Sequence, residues 1–348
     1  MRHRWTALAT AALLTLPLGA ATTLTATAEP APPAADAGPL TDTTNLEFTD
    51  SRGVTSSYHL YAAGLDWTKP VGLMIYTDGT GEYGLNNPDS PYLLAGDDGL
   101  VNVAKRHNLI LLTPHAPGGD CRCWYQTSTG IDPDEKAAWS ADLIEHVQSR
   151  YGTDPARVAF GGYSSGAQWT TRYFGPRHAA QVMTDGVAVA ISYGGQPSGT
   201  PEFTPEFIEN VPFVWNVGAN DPALNGSAGA RDGYDWYTDA GFATTLDVVP
   251  GVGHGRSGQF GAIMDDAVSE HVPAGSTTPP TQPGEPTPTT PTPTVSPTTR
   301  PTPPEQPRDR RPACEREQSR HEHPSERTRH DRRGHWRHHH AQEQVGRR

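Results

Sequence analysis

Between about residues 45 and 273 the chain repeats one pattern: a short uninterrupted apolar run, a turn, then a longer stretch with apolar residues at helical spacing. Continuous apolar runs of strand length mark strands buried on both faces, and strands joined through helical crossovers lie parallel. The runs are 71–77 (VGLMIYT), 109–113, 158–162, 187–193, 213–217 and 245–249, and the helical stretches include 99–106, 133–150, 165–174 and 259–270. In 133–150, Ala137, Ala141, Leu143, Ile144 and Val147 share a face, acids occupy the first turn and Arg150 the last. Gly175-Pro176 predicts a stop for the helix 165–174. Ahead of the series, 46–49 and 58–62 flank Ser51-Arg52-Gly53 and read as a hairpin. The fold class is α/β: a mostly parallel sheet with helices on both faces and an antiparallel start.

The pattern does not extend over all 348 residues, and the composition explains why. The chain holds 36 Gly and 34 Pro and is only 34% hydrophobic, too little for one core throughout. Twelve of the Pro and eleven Thr fall in 274–307, an extended linker of the kind that carries O-glycans. Residues 308–348 carry 12 Arg against 7 acidic residues and almost no apolar side chain, which predicts a disordered Arg/His-rich tail. That tail fits either a basic tether to an anionic cell-wall polymer or an out-of-frame reading of a lost binding domain. Arg2 and Arg4, the apolar run 5–20 and Ala26-Thr27-Ala28 read as a signal peptide over 1–28, so the expected location is extracellular. A disordered leader, 29–44, then precedes the domain 45–273. No later segment is apolar for long enough to insert into a membrane. Once the tail (+5) and the two leader arginines (+2) are set apart from the formal −12 of the whole chain, residues 29–307 carry −19, and an acidic body of this kind argues against nucleic-acid binding. Cys121 and Cys123 are too close in sequence to bridge without strain, Cys314 lies in the tail, and the pairing stays open. The triple histidine 338–340 lacks Cys or Asp at ligand spacing and reads as a solvated tract, so no metal or cofactor is expected.

The peptide that carries chemistry is Gly162-Tyr163-Ser164-Ser165-Gly166. G-x-S-x-G alone is a weak signal, but here it follows a buried strand and opens a helix, the setting of a nucleophile elbow. The turn is so sharp that side chains on either side of the Ser would collide, hence Gly at both ends, and the Ser165 N–H at the helix start points toward a developing oxyanion. A Ser hydroxyl needs a base and an acid that orients it, arriving in the order Ser, acid, His. Asp221 follows the run 213–217 and His254 follows 245–249 within Gly251-Val252-Gly253-His254-Gly255, so both belong at the same sheet edge as Ser164. Asp232, Asp235 and Asp239 fall in a helical stretch and Asp247 inside a strand. His59, His107 and His178 read as surface residues, and His271 ends the last helix. His115 lies at the correct edge but too early in chain order, and is expected to line the substrate pocket. The second oxyanion donor belongs in the loop after the run 71–77, with the Thr80 N–H as candidate. Trp124 is expected at the pocket mouth, stacking on a sugar or phenolic ring.

Asp154-Pro155-Ala156-Arg157-Val158 leading into Gly162-Tyr163-Ser164-Ser165-Gly166-Ala167, with the preceding helix ending Tyr151-Gly152 and the pair Cys123-Trp124, resembles the secreted α/β-hydrolase esterases that include polyhydroxybutyrate depolymerases and feruloyl or acetylxylan esterases. The resemblance covers roughly residues 70–270. It implies an α/β-hydrolase fold and a serine carboxylic ester hydrolase acting on a polysaccharide, polyester or small-molecule ester, with Ser164 as nucleophile, His254 as base and Asp221 as orienting acid. The departure is Asp78-Gly79 where such esterases usually carry His-Gly: a carboxylate there opposes an oxyanion unless it is paired or turned away. Two alternatives stand beside the esterase reading, a serine peptidase on the same fold and an inactive hydrolase fold that binds wall polymer or polysaccharide.

Overall fold

A computed structural model describes residues 40–119, 122–126, 130–226 and 228–274. The signal peptide, the linker beyond Ala274, the basic tail, Cys121, Cys314 and the triple histidine lie outside the described residues. The strands are β1 (Thr43–Thr49), β2 (Thr55–Tyr61), β3 (Gly72–Thr77), β4 (Leu109–Pro114), β5 (Val158–Tyr163), β6 (Gly186–Ile191), β7 (Phe213–Gly218) and β8 (Thr244–Val249). They form one sheet in the order β1-β2-β4-β3-β5-β6-β7-β8. The pairs β1/β2 and β2/β4 are antiparallel, and every pair from β4/β3 to β7/β8 is parallel. With helices on both faces this is the α/β-hydrolase fold.

Alternation along the strands builds the two faces. Leu73 and Ile75 of β3 join Val158 and Phe160 of β5 in a cluster with Trp139, Leu143 and Ile144 of the helix Pro133–Tyr151 and with Trp169 and Phe174. Met74, Tyr76 and Ala159 point the other way, onto Leu100 and Val103 of the helix Leu100–Arg106 and Phe260 and Met264 of the helix Phe260–His271. Burying each such large apolar side chain stabilises the fold by about 1.5–3 kcal/mol, which is why a strand covered on both sides reads as a continuous apolar run.

Three local readings are corrected. The sheet starts at Thr43, inside the segment expected to be a disordered leader, because the Asp42 carboxylate accepts from the Ala63 N–H (2.9 Å) and the Lys105 ammonium (2.8 Å) and pins the start of β1. Gly175-Pro176 does not stop the helix that begins at Ser165: Ser165–Gln168 is α-helical, Trp169–Phe174 widens into a π-helix, and Gly175–Arg177 continues it. The Gly175 N–H reaches back five residues to the Thr170 carbonyl, and a Cβ on Gly175 would stand 2.3 Å from that oxygen, so the glycine permits the widened turn. His59, read as a surface residue, is buried: its Nδ1 accepts from the Asn45 N–H (3.0 Å), which leaves Nε2–H to donate to the Leu85 carbonyl (2.9 Å).

The strand register sets the location of the site. Thr77 pairs with Gly162, Tyr163 with Ile191, Ile191 with Asn216, and Gly218 with Val249, so the parallel strands end together. The loops after β3, β5, β7 and β8 therefore open on one edge. At the opposite edge the buried Arg157 forks onto the carbonyls of Pro70, His107 and Pro273, tying the strand starts to the end of the last helix. No helix among the described residues is long and apolar enough to cross a membrane.

Candidate active site

Ser164 stands between β5 and the helix that follows, with φ 52° and ψ −109°. An L-residue in that region carries strain of order 1–3 kcal/mol and persists only where its surroundings leave no alternative. They leave none here. A Cβ on Gly162 would meet the Thr77 carbonyl oxygen at 2.6 Å and its Oγ1 at 2.3 Å, and one on Gly166 would meet the same carbonyl oxygen at 2.2 Å. Both glycines thus let β3 and the new helix close on the turn, which raises Ser164 above the strand ends.

His254 lies in the loop 251–255 beyond β8, and Asp221 caps the short 3₁₀ turn Pro222–Leu224 beyond β7, accepting from the Ala223 N–H at 2.8 Å. The three side chains meet. His254 Nδ1 lies 3.0 Å from both Asp221 carboxylate oxygens, and His254 Nε2 lies 2.9 Å from Ser164 Oγ. With Nδ1–H donated to the carboxylate, Nε2 keeps its lone pair for the Ser164 hydroxyl proton. The Asp221 side chain is wholly buried while that of His254 is 36% exposed, so the carboxylate is shielded from water and the imidazole is partly solvated. The Tyr163 ring packs 5.4 Å from the imidazole. Two residues on, the buried Arg256 donates to Asn216 Oδ1, and Asn216 in turn donates to the Asp247 carboxylate at 2.6 Å, anchoring the histidine loop to β7 and β8. Burial pushes the Arg256 guanidinium below its ordinary value. Sequence reading missed this anchor because Asp247 signals only a strand position.

The loop after β3 lies against Ser164: a Cβ on Gly79 would stand 3.5 Å from Ser164 Cβ and 2.8 Å from the Tyr163 ring. Thr80 is half-buried and its hydroxyl lies 3.3 Å from Cys123 Sγ, while Ser165 is buried at the helix start, where an N–H has no intrahelical partner. Asp78 is buried and paired with backbone amides of its own loop. One of its carboxyl oxygens accepts from the Gly79 N–H and the other from the Gly84 N–H, both at 2.7 Å. Burial and the neighbouring Glu82 push its pKa up to about 7, against the pull of those amides. The aspartate that departs from His-Gly thus ties the two ends of the loop together through its carboxyl.

Two expected pocket residues are placed elsewhere. Trp124 is fully buried, its ring 5.6 Å from Trp169, because the segment carrying it is drawn inward by the Lys136 ammonium, which donates to the carbonyls of Cys123 (2.6 Å) and Gln126 (2.9 Å). The exposed aromatic beside the loop after β3 is Tyr83, 58% exposed and edge-on to Tyr92. His115 is 2% exposed and lines no opening; its Nδ1 is 2.6 Å from the buried Glu82 carboxyl. Lys136 and Glu82 were not singled out in the sequence. Lys136 had a signal, a charge on the same stripe as Ser140 and Ile144 of its helix, whereas Glu82 had none.

No family model matches the chain, and no curated protein matches it. Solved structures do. A thermostable esterase is 17% identical with a TM-score of 0.49, covering 67% of this chain, and the chain spans 63% of that protein's length. A serine-to-alanine mutant of the feruloyl esterase module from Clostridium thermocellum, complexed with sinapinate, is 18% identical with a TM-score of 0.43 over 69% of this chain and 92% of that one. An S-formylglutathione hydrolase from Agrobacterium tumefaciens is 11% identical with a TM-score of 0.45 over 67% and 97%. Likeness this distant says nothing of this chain's chemistry, which rests on its own geometry.

Proposed function

We propose that the protein is a secreted serine hydrolase that cleaves carboxylic esters through an acyl-enzyme. The observation that carries this reading is the unbroken chain from the buried Asp221 through His254 to Ser164 Oγ, seated on a strained turn beside a helix start. As Ser164 Oγ attacks the ester carbonyl carbon, its proton passes to His254 Nε2 and Asp221 holds the imidazolium that forms. Charge gathers on the former carbonyl oxygen, for which the Ser165 N–H and the Thr80 N–H of the loop after β3 are the donors. The tetrahedral adduct collapses, the alcohol leaves with the proton from Nε2, and water repeats the steps to release the acid and free Ser164. The substrate class we favour is an ester borne on a polysaccharide or polyester, met outside the cell, with the basic tail as a wall tether; this part rests on the leader, the Pro/Thr linker and the family resemblance.

The test is turnover of short-chain p-nitrophenyl esters together with labelling by a fluorophosphonate probe. Wild type hydrolyses the esters and is labelled at Ser164, while Ser164→Ala loses labelling and at least about 10⁴-fold in kcat. An unlabelled, inactive wild type overturns the reading in favour of a binding module. A substrate panel of acetylated and feruloylated polysaccharides, polyesters and peptides then separates esterase from peptidase.

A further inference from the structure

The loop after β3 is irregular, yet it must hold a hydrogen-bond donor over Ser164 to within fractions of an ångström. The residue that closes it is Glu82, with φ 49° and ψ 48°, a left-handed conformation that a residue with a long side chain rarely adopts. Its N–H donates to the Gly79 carbonyl at 2.8 Å, completing the turn that carries Thr80, and the Gly81 N–H donates to the Arg122 carbonyl at 3.2 Å. A glycine would meet the backbone demand at this position without strain; what glutamate adds is a carboxyl with 0% exposure. One of its oxygens accepts from the Ala116 N–H at 2.6 Å, the other shares a proton with His115 Nδ1 at 2.6 Å, and Arg122 Nη1 stands 3.5 Å away. Ala116 and His115 belong to the exit of β4, the strand beside β3. The buried carboxyl therefore clamps the loop after β3 to the end of the adjacent strand, above the sheet edge where Ser164 stands.

We propose that Glu82 is a positioning residue for the oxyanion loop, setting the donor's place through its clamp on Ala116 and His115 and touching no substrate itself. The inference rests on the reading of Ser164 as an ester nucleophile and deepens it. A donor that binds developing charge acts in the transition state, so loosening it lowers kcat and leaves KM nearly alone.

The experiment measures kcat and KM on a p-nitrophenyl ester for wild type, Ser164→Ala, Glu82→Ala and Glu82→Gln, at a temperature where circular dichroism shows each one folded. Glu82→Ala is expected to lose about 10²-fold in kcat with KM within about threefold of wild type. Glu82→Gln keeps an acceptor for the Ala116 N–H and offers a donor to His115, and is expected to recover kcat to within about fivefold. If Glu82→Ala does not fold, Glu82→Asp, one methylene too short to reach both partners, is read in its place by the same criteria. A folded Glu82→Ala with kcat within threefold of an active wild type overturns the inference and leaves the proposed function standing, as does a Glu82→Gln no better than Glu82→Ala. A wild type that turns over no ester overturns both.

Discussion

Individual residues at the site are constrained more by their neighbours' backbone than by their own chemistry. Gly166 is a sharp case, since a methyl group there meets the Thr77 carbonyl oxygen at 2.2 Å. Gly166→Ala is expected to destabilise the fold by about 3 kcal/mol, an overpacking effect, and to lower the melting temperature by about 6–12 °C. A variant that melts within 2 °C of wild type would show that β3 and the helix can part without penalty. The requirement for glycine at 162 and 166 was legible in the sequence as a motif, and the structure supplies its atoms. The pairing of Asp78 with the Gly79 and Gly84 amides was not legible, because both partners are backbone groups whose direction depends on how the loop folds back.

Local signals in the chain governed the elements where helix ends were written in side chains. The helix Pro133–Tyr151 has Asp132 accepting from the Asp134 N–H (2.9 Å), Glu135 reaching back to the Asp132 N–H (3.0 Å), proline in the first turn and Gly152 left-handed at its end. Asp132→Ala is expected to lower stability by about 1 kcal/mol, seen as a melting temperature 2–4 °C lower with kcat retained. An unchanged melting temperature would mean that packing alone fixes this helix start. At Gly175-Pro176 the same kind of signal misled. The lost proline N–H matters only if the helix keeps its regular ladder, and here the turn had already widened to reach Thr170.

At the scale of the whole molecule, buried ionisable groups couple stability to pH. Burial, with Glu82 adding to it, pushes Asp78 up to about 7 from 3.8, burial pushes Glu82 up to about 8 from 4.5, and burial presses His115 down to about 4 from 6.5. The folded chain thus keeps two protons that the unfolded chain gives up near pH 4, so the carboxyl contribution is full at low pH and is lost as pH rises through about 7 and 8. His115 runs the other way: the unfolded chain takes a proton that the folded chain refuses, so its contribution is full above 6.5 and is lost as pH falls toward 4. His59, His146 and His178, also pushed down by burial, act in the same direction as His115. The two sets oppose each other below 6.5, and above it only the carboxyl loss remains. The urea midpoint is therefore expected to be lower at pH 8.5 than at pH 6.5, and a midpoint that is equal or higher would contradict these directions.

The fold class, the sheet edge at which Ser164, Asp221 and His254 meet and their order along the chain could all be read before any coordinates. Each of these follows from one-dimensional signals: continuous apolar runs, helical spacing, and glycines flanking a serine at a strand-to-helix turn. Which side chains at that edge stay exposed required the packed molecule. Trp124 and His115 lie at the right edge, yet Lys136 draws the first inward and Glu82 holds the second, so neither lines a pocket. A strand end fixes the position of a residue, whereas its exposure depends on buried hydrogen bonds made by residues 12 and 33 positions away; the helix stripe marks Lys136 as buried but not its partners, and nothing local marks Glu82.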